Sequence, residues 1–141
     1  MAKYDSRLYS STVAYLGSLI GSSGTEVPIF KAPMRCRVMA VSLMNTAAIA
    51  AHASNYGTAT CYNKGSTGSG TTSAAARSMT VAGGAVAAFD PYDLTLSTTP
   101  ANLIVEEDEV LSFDWAEAGT GADLTLAAVQ VDWVPHAHPA V

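Results

Sequence analysis

Short runs of β-branched and aromatic residues recur every ~8–12 residues along the chain, separated by clusters of Gly, Pro, Asn, Asp and Ser. No stretch of about ten residues has the 3.6-residue periodicity of an amphipathic helix. Evenly spaced short strands are typical of a sandwich or a barrel. The sequence therefore predicts an all-β fold, a sandwich or barrel of about eight antiparallel strands in residues 12–135. Residues 1–11 are predicted to form an N-terminal arm and residues 136–141 a C-terminal tail.

Segment 35–45 has the strongest strand pattern and is apolar on both sides. The apolar residues of its two predicted faces are Met39, Val41 and Leu43, and Cys36, Val38 and Ala40. A strand with two apolar faces is covered on both, so this segment is predicted to be central in its sheet. Segment 25–31 is predicted to be an edge or bulged strand, because Pro28 cannot donate a ladder hydrogen bond.

Segment 124–134 is predicted to be the closing strand, and its apolar residues change phase along it. The two phases are Leu124, Leu126 and Ala128, followed by Val129, Val131 and Trp133. A slip of one residue in a period-2 pattern is what a β-bulge produces, so a bulge is predicted after Ala128.

Charge and composition exclude several classes of function. The formal net charge is −5 and only 13% of residues are charged, so nucleic acid, which needs basic side chains to neutralise phosphates, is not an expected partner. No apolar run reaches the ~18 residues that a membrane span needs, so no membrane is expected either. So few charges suit a protein that covers part of its surface in an assembly.

No arrangement of residues indicates catalysis, so the chain is predicted not to be an enzyme and to need neither a cofactor nor a small-molecule substrate. No serine lies in a Gly-x-Ser-x-Gly elbow, and His52 is the one histidine within the domain body. The acidic run 106–109 is interpreted as a solvated turn, with a calcium site as the alternative. Asp114 and Glu117 are the one carboxylate pair considered for glycoside hydrolysis, and nothing else marks a cleft around them.

Three groups of residues are candidates for binding. Arg7, Leu8 and Tyr9 on the arm are predicted to contact a protein partner, because arginine and apolar side chains favour interfaces. The other candidates are a glycan or protein platform of three tyrosines and a weak metal-binding pair of histidines, namely Tyr56, Tyr62 and Tyr92, and His136 and His138. For the tyrosines, ordinary strand packing is the alternative; for the histidines, it is an unspecialised tail.

Cys36 and Cys61 both lie among apolar neighbours. They are predicted to be reduced core residues, with a single disulfide between them as the alternative.

Five segments together resemble a known family of proteins. They are IFKAP (29–33), CRVMAVSL (36–43), YNKG (62–65), VEEDEVLSF (105–113) and GTGADLTL (119–126). In order and spacing they resemble small jelly-roll proteins of tailed-phage virions, above all head decoration (cement) proteins, although Glu107 stands where such proteins often have glycine. The resemblance implies a homotrimer, made in the host cytoplasm, that binds the major capsid protein on the outer capsid surface and stabilises the head. The alternative is a carbohydrate- or receptor-binding module of a phage tail or fibre, since one fold hosts both functions.

Overall fold

The computed structural model describes residues 10–19 and 25–137. These residues form ten strands and one 3₁₀ turn: β1 (Ser10–Leu19), β2 (Thr25–Lys31), β3 (Cys36–Met44), β4 (Gly57–Asn63), β5 (Thr72–Ser78), β6 (Tyr92–Asp93), β7 (Thr95–Leu96), the turn Pro100–Leu103, β8 (Ile104–Val105), β9 (Val110–Glu117) and β10 (Leu124–Pro135). No helix in this part of the chain is long and apolar enough to cross a membrane.

The strands form two antiparallel sheets. The first has the order β1-β10-β3-β6, with β8 also paired to β3, and the second has the order β2-β9-β4-β5-β7. Only the β4–β5 hairpin stays within one sheet, and every other connection between consecutive strands crosses to the opposite sheet. This alternation is that of a double-sheet jelly roll, so the predicted jelly-roll-like sandwich is confirmed.

The strand count exceeds the expected eight because three strands are only two residues long. β6 and β8 pair with different parts of β3 and so share one side of it. Residues 85–89 contribute an isolated bridge between Val86 and Ile49. β2 lies at the edge of its sheet, as Pro28 predicts, and its register with β9 is irregular between Pro28 and Phe30.

The core lies between the inner faces of the two sheets. Trp115 and Phe113 of β9 are fully buried, as are Val41 of β3 and Val129 of β10. Burying each such side chain stabilises the fold by about 1.5–3 kcal/mol relative to exposing it. The alternation of Leu111, Phe113 and Trp115 along β9 therefore fixes which face of the second sheet turns inward.

β3 is central, as predicted, but the predicted division of its faces is wrong. Val38 and Val41 both point into the core, so the inward phase slips by one residue between them. The β10–β3 register is irregular at this point, between Asp132 and Trp133, and Met39 is the unpaired extra residue. A bulge at Met39 accounts for two apolar faces on a strand that buries only one of them fully.

β10 is bulged, as predicted, but the slip comes earlier than Ala128. Leu126 is 67% exposed whereas Ala127 is 1% exposed, so the inward phase changes between Leu124 and Ala127. On β1, Ser18 alone lies opposite Thr125 and Leu126, because the paired residues on either side are Gly17 with Ala127 and Leu19 with Leu124. The bulge turns Leu126 outward, where alternation alone predicted a core residue.

Cys36 and Cys61 are buried free thiols on opposite sheets, as the reduced-core interpretation expected. Burial raises the pKa of Cys36 to about 11 and that of Cys61 to about 12. Because the thiolate is the reactive form, both side chains are inert packing residues at neutral pH.

Candidate docking surface

Three of the four most exposed large apolar side chains of the described residues converge at one place. Tyr15, Phe89 and Leu126 are 86%, 75% and 67% exposed. They line a depression of about 170 Å³ with Met44, Asn45, Thr46 and Ala128. We call this set of seven residues the apolar depression. Single exposed apolar residues are ordinary, but several around one concavity mark a surface that another molecule covers.

Strand register explains how three of the seven residues of the apolar depression come together. Tyr15 of β1 lies opposite Ala128 of β10, and Ala128 lies opposite Met44 of β3. The three side chains therefore form one row across the outer face of the first sheet. The small Ala128 in the middle leaves the hollow between its two larger neighbours.

The backbone at the other two apolar residues is strained. Phe89 has φ 61° and Leu126 has φ 43°. Left-handed φ values cost bulky side chains about 1–2 kcal/mol, and Asn or Gly is the usual residue there. Strained positions persist where surrounding contacts impose them, and they concentrate at functional sites. Here the strain holds two large apolar side chains in solvent, which contributes nothing to the packing of the core.

Asn45 fixes the backbone of this strained region through hydrogen bonds. It is 1% exposed, and its side-chain oxygen accepts a hydrogen bond from the Thr125 amide at 2.8 Å, next to Leu126. Its Nδ2 donates to the Ala47 carbonyl at 2.8 Å, and its own carbonyl accepts from the Phe89 amide at 2.8 Å. One buried amide residue at the end of β3 thus fixes both segments that carry the strained side chains.

The three tyrosines of the predicted platform do not lie together on an exposed face. Tyr92 is 5% exposed; its hydroxyl donates to the Gly83 carbonyl at 3.0 Å and its ring lies 4.1 Å from the Arg77 guanidinium. The expectation that Tyr92 is exposed is therefore wrong, because its ring fills the space between the two sheets. Tyr56 and Tyr62 are half-buried at opposite ends of β4.

Other candidates lie partly or wholly outside the described residues. Arg7, Leu8, Tyr9 and His138 are in this group. His136 is half-buried, and its main chain is fixed by Arg35, whose Nη1 donates to the carbonyls of His136 at 3.1 Å and Ala137 at 2.7 Å. Within the described ranges, no three His, Cys, Asp or Glu side chains are grouped to hold a metal ion.

The outer face of the second sheet carries a pocket of about 310 Å³ that is lined by Glu26, Pro28, Lys64, Gly68, Val110 and Ser112. Lys64 Nζ lies 2.8 Å from the Glu26 carboxylate, and the buried Ser112 hydroxyl donates to the same oxygen. These hydrogen bonds, that of Lys64 first, lower the pKa of Glu26. Desolvation, and next the charge of Glu26, raise the pKa of Asp114. Asp114 of β9 lies opposite Glu26 of β2. Glu117, the other member of the carboxylate pair considered from the sequence, is the last residue of β9.

The acidic run 106–109 forms a turn, as interpreted from the sequence. Glu109 accepts hydrogen bonds from the Glu106 amide at 3.0 Å and from Asn63 Nδ2 at 2.8 Å. Asp108, with φ 68°, pairs with Lys31 at 2.7 Å, and Glu106 pairs with Arg35 at 2.9 Å. The Glu109 carboxylate caps the backbone of the turn, and the two ion pairs connect the turn to β2 and to the chain after it.

The chain matches no family model, and comparison with curated proteins and with solved structures finds no match. The interpretation of the apolar depression therefore rests on its geometry. None of Tyr15, Phe89 and Leu126 was a candidate from the sequence. The one available signal was the Phe-Asp-Pro sequence at 89–91, in which a large aromatic residue precedes a bend.

Proposed function

We propose that this protein is a decoration (cement) protein of a phage head and that the apolar depression docks onto the major capsid protein. The docking part of this proposal rests on the exposed side chains of Phe89 and Leu126, which have strained backbones and lie beside Tyr15. The sequence resemblance supplies the identity of the partner. Such a protein stabilises the head by binding across subunit joints, where many modest contacts add up through multivalency.

The strained backbone favours a role in docking, and not in folding, for the side chains of Phe89 and Leu126. In a core residue, burial of the side chain offsets the cost of backbone strain. Phe89 and Leu126 are exposed in the isolated chain, so burial does not offset their strain. Covering them in a complex removes apolar surface from water at about 25 cal/mol per Å². Large, rigidly held apolar groups at the centre of an interface typically contribute most of the binding energy.

Variants that relieve the strain while removing the apolar group test this proposal. Phe89→Asn and Leu126→Asn each place a residue that tolerates left-handed φ in an exposed position. We expect their melting temperatures to equal or exceed that of the parent chain. Their binding to heads assembled without this chain, from the major capsid protein of the same virus, is expected to fall about tenfold or more. Co-sedimentation with the heads measures the binding.

Val81→Asn is the matched control, because Val81 is 71% exposed but does not line the apolar depression. It is expected to bind heads as the parent chain does. Failure of the parent chain to bind heads refutes the capsid assignment, and parent-like binding by both depression variants refutes the assigned surface.

A further inference from the structure

β1 is the one long unprotected strand edge among the described residues. It borders the first sheet with ten residues, SSTVAYLGSL, which include no charged residue and no proline. The opposite border consists of the two-residue β6 and β8, and the second sheet ends in the two-residue β7 and in β2, which carries Glu26, Pro28 and Lys31. Proteins protect strand edges by these very means, short length, proline and charge, so an unprotected edge is suited to accept another strand.

Residues 2–9 have the sequence of a strand that fits this edge. Ala2, Tyr4 and Leu8 share one phase with Ser6, and Lys3, Asp5 and Arg7 share the other with Tyr9. This largely alternating pattern favours a strand with one mainly apolar face. Eight extended residues span about 27 Å, close to the roughly 33 Å of a ten-residue strand such as β1. The apolar face of the segment matches Val13, which is 45% exposed on the outer face of β1.

Charge also favours this pairing. Residues 1–9 carry two basic side chains and one acidic side chain, whereas the rest of the chain carries five basic and eleven acidic ones. A basic segment is therefore attracted to the acidic body of any copy of the chain, over distances of about a Debye length.

The sequence around Ser10 disfavours pairing of the segment with its own β1. Ser10 is already the first paired residue of β1, opposite Trp133, and residues 1–11 contain no Gly, Pro or Asn. Tight hairpins depend on such residues at their turn. A second copy of the chain needs no turn to present the same segment.

We propose that residues 2–9 of one copy add as a strand to the β1 edge of a second copy. The donating and accepting surfaces differ, so two copies can exchange the segment reciprocally, or several copies can donate in sequence around a closed ring. The ring is the arrangement that fits the homotrimer implied by the resemblance. The proposal concerns the free protein and does not depend on capsid binding.

Two complementary variants test this exchange by sedimentation velocity at micromolar concentration. One lacks residues 2–9 and keeps its edge, and the other keeps residues 2–9 and carries Val13→Lys, which opposes Lys3 and Arg7 with a like charge. We expect the parent chain to sediment as an oligomer and each variant alone as a monomer. An equimolar mixture is expected to form a 1:1 heterodimer, because it restores one donating segment and one accepting edge.

Val81→Lys is the control for the added charge and is expected to remain oligomeric. Circular dichroism of both variants verifies that they are folded. A monomeric parent chain overturns the proposal, as does a mixture of folded variants that stays monomeric. Neither result bears on docking to heads, which is measured separately by co-sedimentation.

Discussion

Replacing Gly57 by alanine is expected to destabilise the fold by about 3 kcal/mol and to lower its melting temperature by roughly 10 °C. A Cβ added at Gly57 lies 2.0 Å from Cζ2 and 2.1 Å from Cη2 of Trp115, far inside van der Waals contact. Trp115 is fully buried beneath β4, so the indole has no free space into which to move. Thermal and denaturant unfolding measure the loss.

A second substitution identifies the cause of that loss. Trp115→Phe removes the two ring atoms that collide with the new Cβ, and alone it is expected to cost about 2 kcal/mol through the space it leaves. In the double variant the alanine methyl occupies that space. The two losses are then not additive, and the coupling is expected to reach about 2 kcal/mol.

Gly65→Ala is the matched control for the alanine substitution. The site is open but has φ 64°, so only backbone strain of about 1 kcal/mol is expected. Additive losses in the Gly57 and Trp115 double variant, within about 0.5 kcal/mol, contradict the packing described for these two residues.

Asn45→Ala is expected to cost about 2–3 kcal/mol and also to weaken docking. The substitution removes the buried Asn45 side chain, and the part-buried hydrogen bonds that it makes to the Thr125 amide and the Ala47 carbonyl are lost. Losing polar partners that are shielded from water is costly. The bulge that carries Leu126 then loses the hydrogen bond that fixes it. Unfolding in denaturant measures stability, and co-sedimentation with heads measures docking.

Thr46→Val is the matched control for Asn45, because Thr46 Oγ1 donates to the carbonyl of the same Thr125 at 2.7 Å, but from an exposed position. Water replaces an exposed hydrogen bond, so a loss below about 1 kcal/mol is expected. Equal losses for the two substitutions mean that Asn45 has no special role in holding the bulge.

The fold was largely predictable because strand alternation and turn residues are local signals. β2 has the predicted bounds, and β3 lies one residue inside its predicted segment at each end. The faces of β3 and β10 were harder to predict, because a phase slip in the sequence does not say which residue is left out of the ladder. Val38 and Val41 on β3 show the slip in retrospect, but apolar Met39 and Ala40 between them hide its position.

The apolar depression was not predictable, because it depends on non-local contacts. Leu126 continues the apolar alternation from Leu124. The hydrogen bonds that accompany its outward turn come from Ser18 on β1 and from Asn45, just after β3. Phe89 comes close through the hydrogen bond of its amide to Asn45, 44 positions earlier in the sequence. Patterns within one segment identify buried and exposed faces, but not which segments meet.

A density map of purified virus particles tests the central claim most directly. We expect density for a small two-sheet sandwich on the outer surface of the head, at joints between capsid subunits. The end of the first sheet that carries Phe89 and Leu126 is expected to face the shell. Density on the tail contradicts the proposed function, and a sandwich that contacts the head with the pocket at Glu26 and Lys64 contradicts the proposed docking surface.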